Sequence, residues 1–326
     1  MAKVLISSNI FSTDDPKLLA IFETAGHEFN FNRYHALRTE DELIDLLDGV
    51  SAAIVGVDPF SPEVFASASD LRVICRTGVG FDEIDVPAAT RHGVLVLTTP
   101  GLNSNAVADT AMALLLSLVR DVVRNDKNMR MGEWRDPSRQ GPEIWNKTMG
   151  ILGLGSIGKG VARRATGFSM RILACDIVQD TEFAERHGIT YVSKERLLAE
   201  SDFISLHTPL NSETRNIIDA QAIGLMKPTA YLINTSRGGV VDEPALYQAL
   251  VDRRIAGAGL DVFANEPPVD TPLLELENVV LTPHIAGLSP EATEVVNYAS
   301  ARNVVAVLNG EHPEPGMARN PEVLGS

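Results

Sequence analysis

Short apolar runs recur along this chain and alternate with stretches whose apolar residues return every three or four positions. "KVLIS" (3–7), "AAIVG" (52–56), "LRVICR" (71–76) and "VLVLT" (94–98) read as strands. Helical patterns lie near 16–25 and in "TEDELIDLLDG" (39–49), where Thr39 and Glu42 have capping-box spacing. This βα order predicts a parallel sheet with helices on its faces. A turn-rich segment, "TTPGLNSN" (98–105), leads into a long helix from about Ala106 to Arg120, and a polar, Trp-containing stretch (130–147) follows. Six more strand-like runs then appear: "MGILGLG", "RILACD", "FISLH", "AYLINTS", "AGAGLD" and "VVLTPH". They predict one complete doubly wound sheet. From Ser289 the pattern is helical again, with Ser289 as N-cap, Pro290 at the first helical position and an end near Gly310. What this last helix packs on is not legible locally.

Composition narrows the class. The 326 residues are 44% apolar and 22% charged, the profile of a globular protein long enough for two domains. A net charge of −15 disfavours nucleic acid and anionic membranes as partners, since both are polyanions. The strongly apolar run "AMALLLSLV" (111–119) is about half a bilayer span, and "MAKVLISSN" lacks the apolar core of a signal peptide. Cys75 and Cys175 have no metal-ligand spacing and read as buried, reduced thiols within apolar strands. A cytoplasmic protein without a metal site is the expectation.

Candidate chemistry begins at "GILGLGSIGKG" (150–160), after a strand and opening a helix. Gly153 suits a tight turn, Gly155 lets a backbone approach a pyrophosphate, and Gly158 lets the helix pack on the strand. The amides of Ser156 and Ile157 would then face the phosphates. Asp176 ends the next strand, 18 residues after Gly158, where a carboxylate can hold a ribose and repel a 2′-phosphate. NAD is therefore expected over NADP. The bland alternative, a glycine turn without a ligand, has to explain why strand, helix and acid are all in register.

Polar residues cluster at later strand ends, where ligands bind in an open α/β sheet. They are His207, Thr208 and Pro209; Thr235, Ser236 and Arg237; Asp261; and His284, with Glu266 in the loop between the last two strands. An imidazolium can give a proton to a carbonyl oxygen as hydride arrives. Glu266 beside His284 would favour that charged form, Arg237 could grip a carboxylate and the developing oxyanion, and Asp261 could accept from the nicotinamide carboxamide. Each has a dull alternative: a surface ion pair for Arg237, an exposed loop acid for Glu266, a turn cap for His284. His27, His35, His92, His187 and His312 read as solvated or structural, and Cys75 as buried rather than reactive.

At this point the chain resembles the D-isomer-specific 2-hydroxyacid dehydrogenase family, in its 3-phosphoglycerate dehydrogenase-like branch. "GILGLGSIGKGVA", "LINTSRGGVVDEPAL", "GAGLDVFANEPP" and "LTPHIAG" resemble its nucleotide, arginine, acid and histidine segments. "RTGVGFDEID" (76–85) and "TTPGLNSNAVADTAMALLL" (98–116) resemble its substrate loop and interdomain helix.

The resemblance implies two doubly wound parallel-sheet domains with a cleft between them. One is a flavodoxin-like substrate domain built from 1–100 and 288–326, the other a Rossmann NAD-binding domain over 101–287. It implies Arg237, Glu266 and His284 as the catalytic trio, and the amides of Gly78, Val79 and Gly80 as a carboxylate nest. Ala286 and Gly287 join the candidate cofactor residues, and a homodimer is expected. Arg76 is either a ligand for a second anionic group or a structural ion-pair partner. Phosphoglycerate dehydrogenases carry a basic residue where this chain has Gly56 and Asp58, and Asp109 stands where many relatives have Glu. The expected substrate is thus a small anionic 2-hydroxy or 2-keto acid, not specifically phosphoglycerate. An NADH-sensing corepressor-like protein and a phosphite dehydrogenase are the alternatives.

Overall fold

Local signals start most of the helices. Thr39 accepts from the Glu42 amide while the Glu42 carboxylate accepts from the Thr39 amide, closing the capping box of helix α2 (Glu40–Leu46). Asp15, Ser61 and Asp85 likewise cap α1 (Pro16–Thr24), α3 (Pro62–Ser67) and α4 (Val86–Arg91), each with proline in the first turn. The computed structural model describes residues 1–32, 38–134 and 140–325. His35 lies outside them. The chain divides into two units, residues 1–103 with 289–326, and residues 104–288.

The first unit holds β1 (Lys3–Ile6), β2 (Glu28–Phe31), β3 (Ala52–Val55), β4 (Val73–Arg76) and β5 (Leu95–Leu97). Their order is β2-β1-β3-β4-β5, all parallel, which is the flavodoxin-like winding. Strand β2 is one that the sequence pattern misses. Its four residues, "EFNF", alternate at an edge and bury only part of one face. The C-terminal helix α12 (Pro290–Leu308), capped by Ser289, packs on α1, β3 and β4. Beyond it, the Asn320 side chain accepts from the Val96 amide and donates to the Val94 carbonyl, satisfying the outer edge of β5.

The second unit holds β6 (Thr148–Leu152), β7 (Arg171–Cys175), β8 (Ile189–Tyr191), β9 (Phe203–Leu206), β10 (Tyr231–Asn234), β11 (Gly257–Leu260) and β12 (Val279–Leu281). The order β12-β11-β10-β9-β6-β7-β8 is the Rossmann winding with one added strand. The expected six strands become seven because β8, three residues long, gives too short a pattern to read. Helix α5 (Ser104–Val119) packs on α7 (Ser156–Thr166), close enough that a Cβ on Gly160 would lie 2.9 Å from that of Ala108. Asp109, the residue that departs from the family pattern, pairs with Arg164 at 2.6 Å across these two helices. Helix α6 (Val122–Arg130), absent from the sequence reading, buries no residue. The remaining helices are α8 (Thr181–His187), α9 (Lys194–Glu200), α10 (Ala220–Leu225) and α11 (Glu243–Val251).

Among the described residues, no helix is long and apolar enough to cross a membrane, and no cluster of His, Cys, Asp and Glu could hold a metal ion. Cys75 is buried, and burial pushes its thiol up to about 12. Cys175 is half-buried and raised by burial and by the adjacent Asp176 charge. His27 falls on the structural side of its reading: both its ring nitrogens are buried without a hydrogen-bond partner.

Candidate active site

The glycine turn lies between β6 and α7. Gly153 has φ +93°, and a Cβ there would also meet the His207 carbonyl at 2.7 Å. A Cβ on Gly158 would sit 2.1 Å from the Gly153 carbonyl oxygen, so bare backbone is required where α7 leaves the turn. Gly155 differs: a Cβ there would meet nothing within 4 Å. It is also the N-cap of α7 and makes no side-chain cap, so the helix opens at Ser156 and Ile157 onto free space. An anion fits there, drawn by uncapped amides and the helix dipole.

Asp176 follows β7 and clamps this turn. Its Oδ2 accepts the Leu154 amide at 2.5 Å and its Oδ1 the Val178 amide at 2.9 Å. Each oxygen keeps a second lone pair for a ribose hydroxyl. Across the turn, His207 Nε2 lies 2.9 Å from the Ser205 hydroxyl, and burial pushes its imidazole down to about 3. This ring is neutral at physiological pH. Its Nδ1 and the hydroxyls of Thr208 and Thr235 are buried without hydrogen-bond partners. Unmet polar atoms at the carboxyl ends of β9 and β10 suit a polar cofactor.

His284, Glu266 and Arg237 come from three different strand ends of the same unit. His284 Nδ1 lies 2.6 Å from Glu266 Oε2, and Glu266 Oε1 accepts the Phe263 amide at 3.0 Å. Burial pushes the Glu266 carboxyl up. The bond and charge of His284, the Phe263 amide and the Arg237 charge outweigh that and hold it below the ordinary value. His284 itself has φ +52°, a left-handed backbone, and its amide donates to the Asp261 and Thr282 carbonyls.

Asp261 is fully buried and organises that loop. Its Oδ1 accepts from the Thr282 hydroxyl at 2.6 Å and the Ile285 amide at 2.9 Å, and its Oδ2 from the Ala286 amide at 2.8 Å. The expected nicotinamide contact therefore has one open lone pair on Oδ2 to use. Most of what Asp261 does is to hold the histidine segment.

Arg237 is positioned by groups that sequence reasoning missed. Buried Asn234 donates to the Arg237 carbonyl and accepts from the Ser236 amide and hydroxyl. Arg237 Nη1 donates to the Ser236 carbonyl at 2.8 Å. The next residue, Gly238, lies so near the acid segment that a Cβ would fall 1.8 Å from the Phe263 carbonyl carbon. On the far side, Glu243 Oε1 accepts the Ala264 amide at 2.5 Å. Asn234 leaves a faint trace as a polar residue ending an apolar strand; Glu243 reads only as an ordinary first-turn acid of α11.

In the first unit, Arg76 donates from Nη1 to the Thr77 carbonyl at 2.9 Å and lies over the face of Gly78, where a Cβ would be 1.7 Å from the same nitrogen. The Gly78 amide donates to the Arg76 carbonyl at 2.9 Å, which folds the loop back and leaves only the Val79 and Gly80 amides without an acceptor among the described residues. Below the loop, the Asp58 carboxylate is buried. It accepts from Arg38 Nη1 at 3.1 Å, the Ser7 hydroxyl at 2.7 Å and the Gly56 amide at 3.1 Å.

Comparison with known proteins places the chain. Residues 112–286 match the family model "D-isomer specific 2-hydroxyacid dehydrogenase, NAD binding domain". A glyoxylate reductase of Korarchaeum cryptofilum is 48% identical over 261 residues, 78% of this chain and 79% of that one. The chain belongs to the D-isomer-specific 2-hydroxyacid dehydrogenase family. A D-3-phosphoglycerate dehydrogenase of Methanocaldococcus jannaschii is 40% identical over 278 residues, 85% of this chain but 53% of that one. The crystal structure of a D-lactate dehydrogenase from Aquifex aeolicus, complexed with NAD and lactic acid, superposes with a TM-score of 0.85 at 30% identity. That match covers 97% of this chain and 98% of the other. Like the family, this chain is an NAD-dependent oxidoreductase of 2-hydroxy acids.

Proposed function

We propose that the protein reduces a small 2-keto acid to its 2-hydroxy acid, with His284 as proton donor, Glu266 as its partner and Arg237 as the ligand of the reacting carbonyl. The observation that carries this is the 2.6 Å pair of His284 Nδ1 and Glu266 Oε2, with the Arg237 charge acting on the same carboxylate. NADH, when bound, supplies the hydride. Glu266 occupies Nδ1 of the imidazolium and leaves Nε2–H for the substrate oxygen. As negative charge builds on that oxygen, the guanidinium stabilises it and Nε2 delivers the proton. In the oxidative direction the same nitrogen takes the proton back.

Gly153, Gly155, Ser156, Ile157 and Gly158 are assigned to the pyrophosphate and Asp176 to the ribose. The strand-end set, His207, Thr208, Pro209, Thr235, Ser236, Asp261, Ala286 and Gly287, is assigned to the rest of the cofactor. The amides of Val79 and Gly80 are assigned to the substrate carboxylate, backed by Arg76. The unit of residues 1–103 and 289–326 is then the substrate domain, and that of 104–288 the NAD-binding domain.

Glyoxylate and hydroxypyruvate are the preferred substrates in this reading. Gly56 supplies no positive charge, and the Arg38 guanidinium is already neutralised by Asp58, so a phosphorylated acid gains little. A sensing role without turnover, or oxidation of phosphite, draws no support from relatives named as reductases and dehydrogenases.

A homodimer is supported by the exposed apolar side chains Val122, Val123, Met129, Met131, Trp134 and Trp145 of the second unit. Two free cysteines suit the reducing cytoplasm. The test of function is NADH oxidation against glyoxylate, hydroxypyruvate, pyruvate and phosphohydroxypyruvate. No turnover with any of them, alongside intact NADH binding, overturns the reading.

A further inference from the structure

We propose that Glu243 is a positioning residue for this reaction, holding the acid segment, and through it Glu266, by way of the Ala264 amide. The inference rests on the assignment of Glu266 and His284 above. Its ground is a chain of contacts within the second unit. Glu243 is the first residue of α11, after the N-cap Asp242, and its Oε1 lies 2.5 Å from the Ala264 amide nitrogen. Ala264 follows Phe263, whose own amide donates to Glu266 Oε1, and the other Glu266 oxygen holds His284. Two consecutive amides of one turn are thus each bound by a different carboxylate.

The surroundings make this second carboxylate unusual. An acid at a helix N-terminus ordinarily faces water and the helix's own first amides. Here Asp242 already caps α11 through the Ala245 amide, and the half-buried Glu243 side chain reaches across to the neighbouring loop. Burial and the like charge of Glu266 both push its carboxyl up, against the Ala264 amide. Such a group is kept at a cost, which points to a role beyond solubility.

The charged groups around the pair are few. Glu266, His284 and Arg237 lie on the acid side. Asp242 lies on the same helix, and Arg215 approaches Gly239 on the loop before it. Glu243 touches no reacting atom and acts through the Ala264 amide.

The test compares Glu243→Gln, Glu243→Ala and His284→Ala by kcat and kcat/KM for glyoxylate reduction across pH, with NADH affinity measured separately. Glu243→Gln keeps an oxygen for the Ala264 amide but loses the charge. The expected result is a plateau rate within about twofold of wild type, because the amide oxygen keeps the hook. Glu243→Ala also loses the hook and is expected to lower the plateau about tenfold, with NADH affinity unchanged. Glu243→Ala at the wild-type rate, or Glu243→Gln as impaired as Glu243→Ala, overturns the proposal. An active His284→Ala instead overturns the site assignment itself.

Discussion

The amide of Leu154 donates to Oδ2 of Asp176 at 2.5 Å, so the acid that ends the second Rossmann strand also braces the turn that ends the first. In the proposed assignment, one residue thereby shapes the phosphate site and selects the nucleotide. Asp176→Asn keeps an acceptor for Leu154 but not the charge, and is expected to raise use of NADPH relative to NADH about tenfold. Asp176→Ala loses the brace as well and is expected to weaken both cofactors. The ratio of kcat/KM for NADH and NADPH checks this, and an unchanged ratio in both variants removes the charge argument.

His284→Ala is expected to lower kcat for keto-acid reduction by 100-fold or more, in the range of ~10²–10⁴ for a lost general acid. NADH affinity should stay within about twofold, because the glycine turn is built from other strands. Fluorescence titration of NADH beside steady-state rates separates the two effects. A collapse of cofactor binding would instead make His284 a structural residue.

Glu266 is held below the ordinary glutamate value of 4.5 once His284, Phe263 and Arg237 have outweighed burial. A depressed carboxyl contributes stability that is present above its unfolded value and is lost as pH falls through the folded one. Wild type should therefore melt above Glu266→Gln at pH 7, and the gap should close as pH drops below 4.5. Melting curves at four or five pH values check the sign. A gap that widens in acid contradicts it.

Asp58 and Arg38 form an ion pair with side chains 0% and 6% exposed. Removing Asp58 leaves the buried Arg38 guanidinium without its counter-charge, although Asn32 still accepts from it, at about 3–5 kcal/mol. Asp58→Ala is expected to lower Tm by several degrees, and Asp58→Asn, which keeps the Ser7 and Gly56 bonds, by less. If the pair also sets selectivity, Asp58→Asn improves kcat/KM for phosphohydroxypyruvate relative to glyoxylate.

Gly238 tests how the arginine and acid segments meet. A methyl group there falls 1.8 Å from the Phe263 carbonyl carbon, so backbone must move. Gly238→Ala is expected to cut kcat at least tenfold, with folding checked by circular dichroism.

Much of this was legible in the chain because the signals are local. The capping box of Thr39 and Glu42, the Ser289 N-cap with Pro290, and the order of glycines at 153, 155 and 158 each declare themselves within a few residues. Strands β2 and β8 did not, because a four- and a three-residue edge strand carry too few alternations to stand out. Asn234 left only a faint trace and Glu243 none for another reason. Asn234 bonds mainly backbone groups two and three residues on, Glu243 an amide 21 residues away, and a backbone group has no signature in a sequence. The use of the Gly78 amide within its own loop is likewise a matter of dihedral angles rather than residue types.

Helix α12 covers one face of a sheet whose strands lie among the first hundred residues. A ribosome delivers residues 104–288 before it delivers that helix. Synthesis therefore runs against assembly: the middle of the chain can mature while the beginning waits, its β3–β4 face bare, for the end to arrive. A nascent chain stalled short of residue 289 should thus carry a finished Rossmann body tethered to a sticky, chaperone-dependent leader.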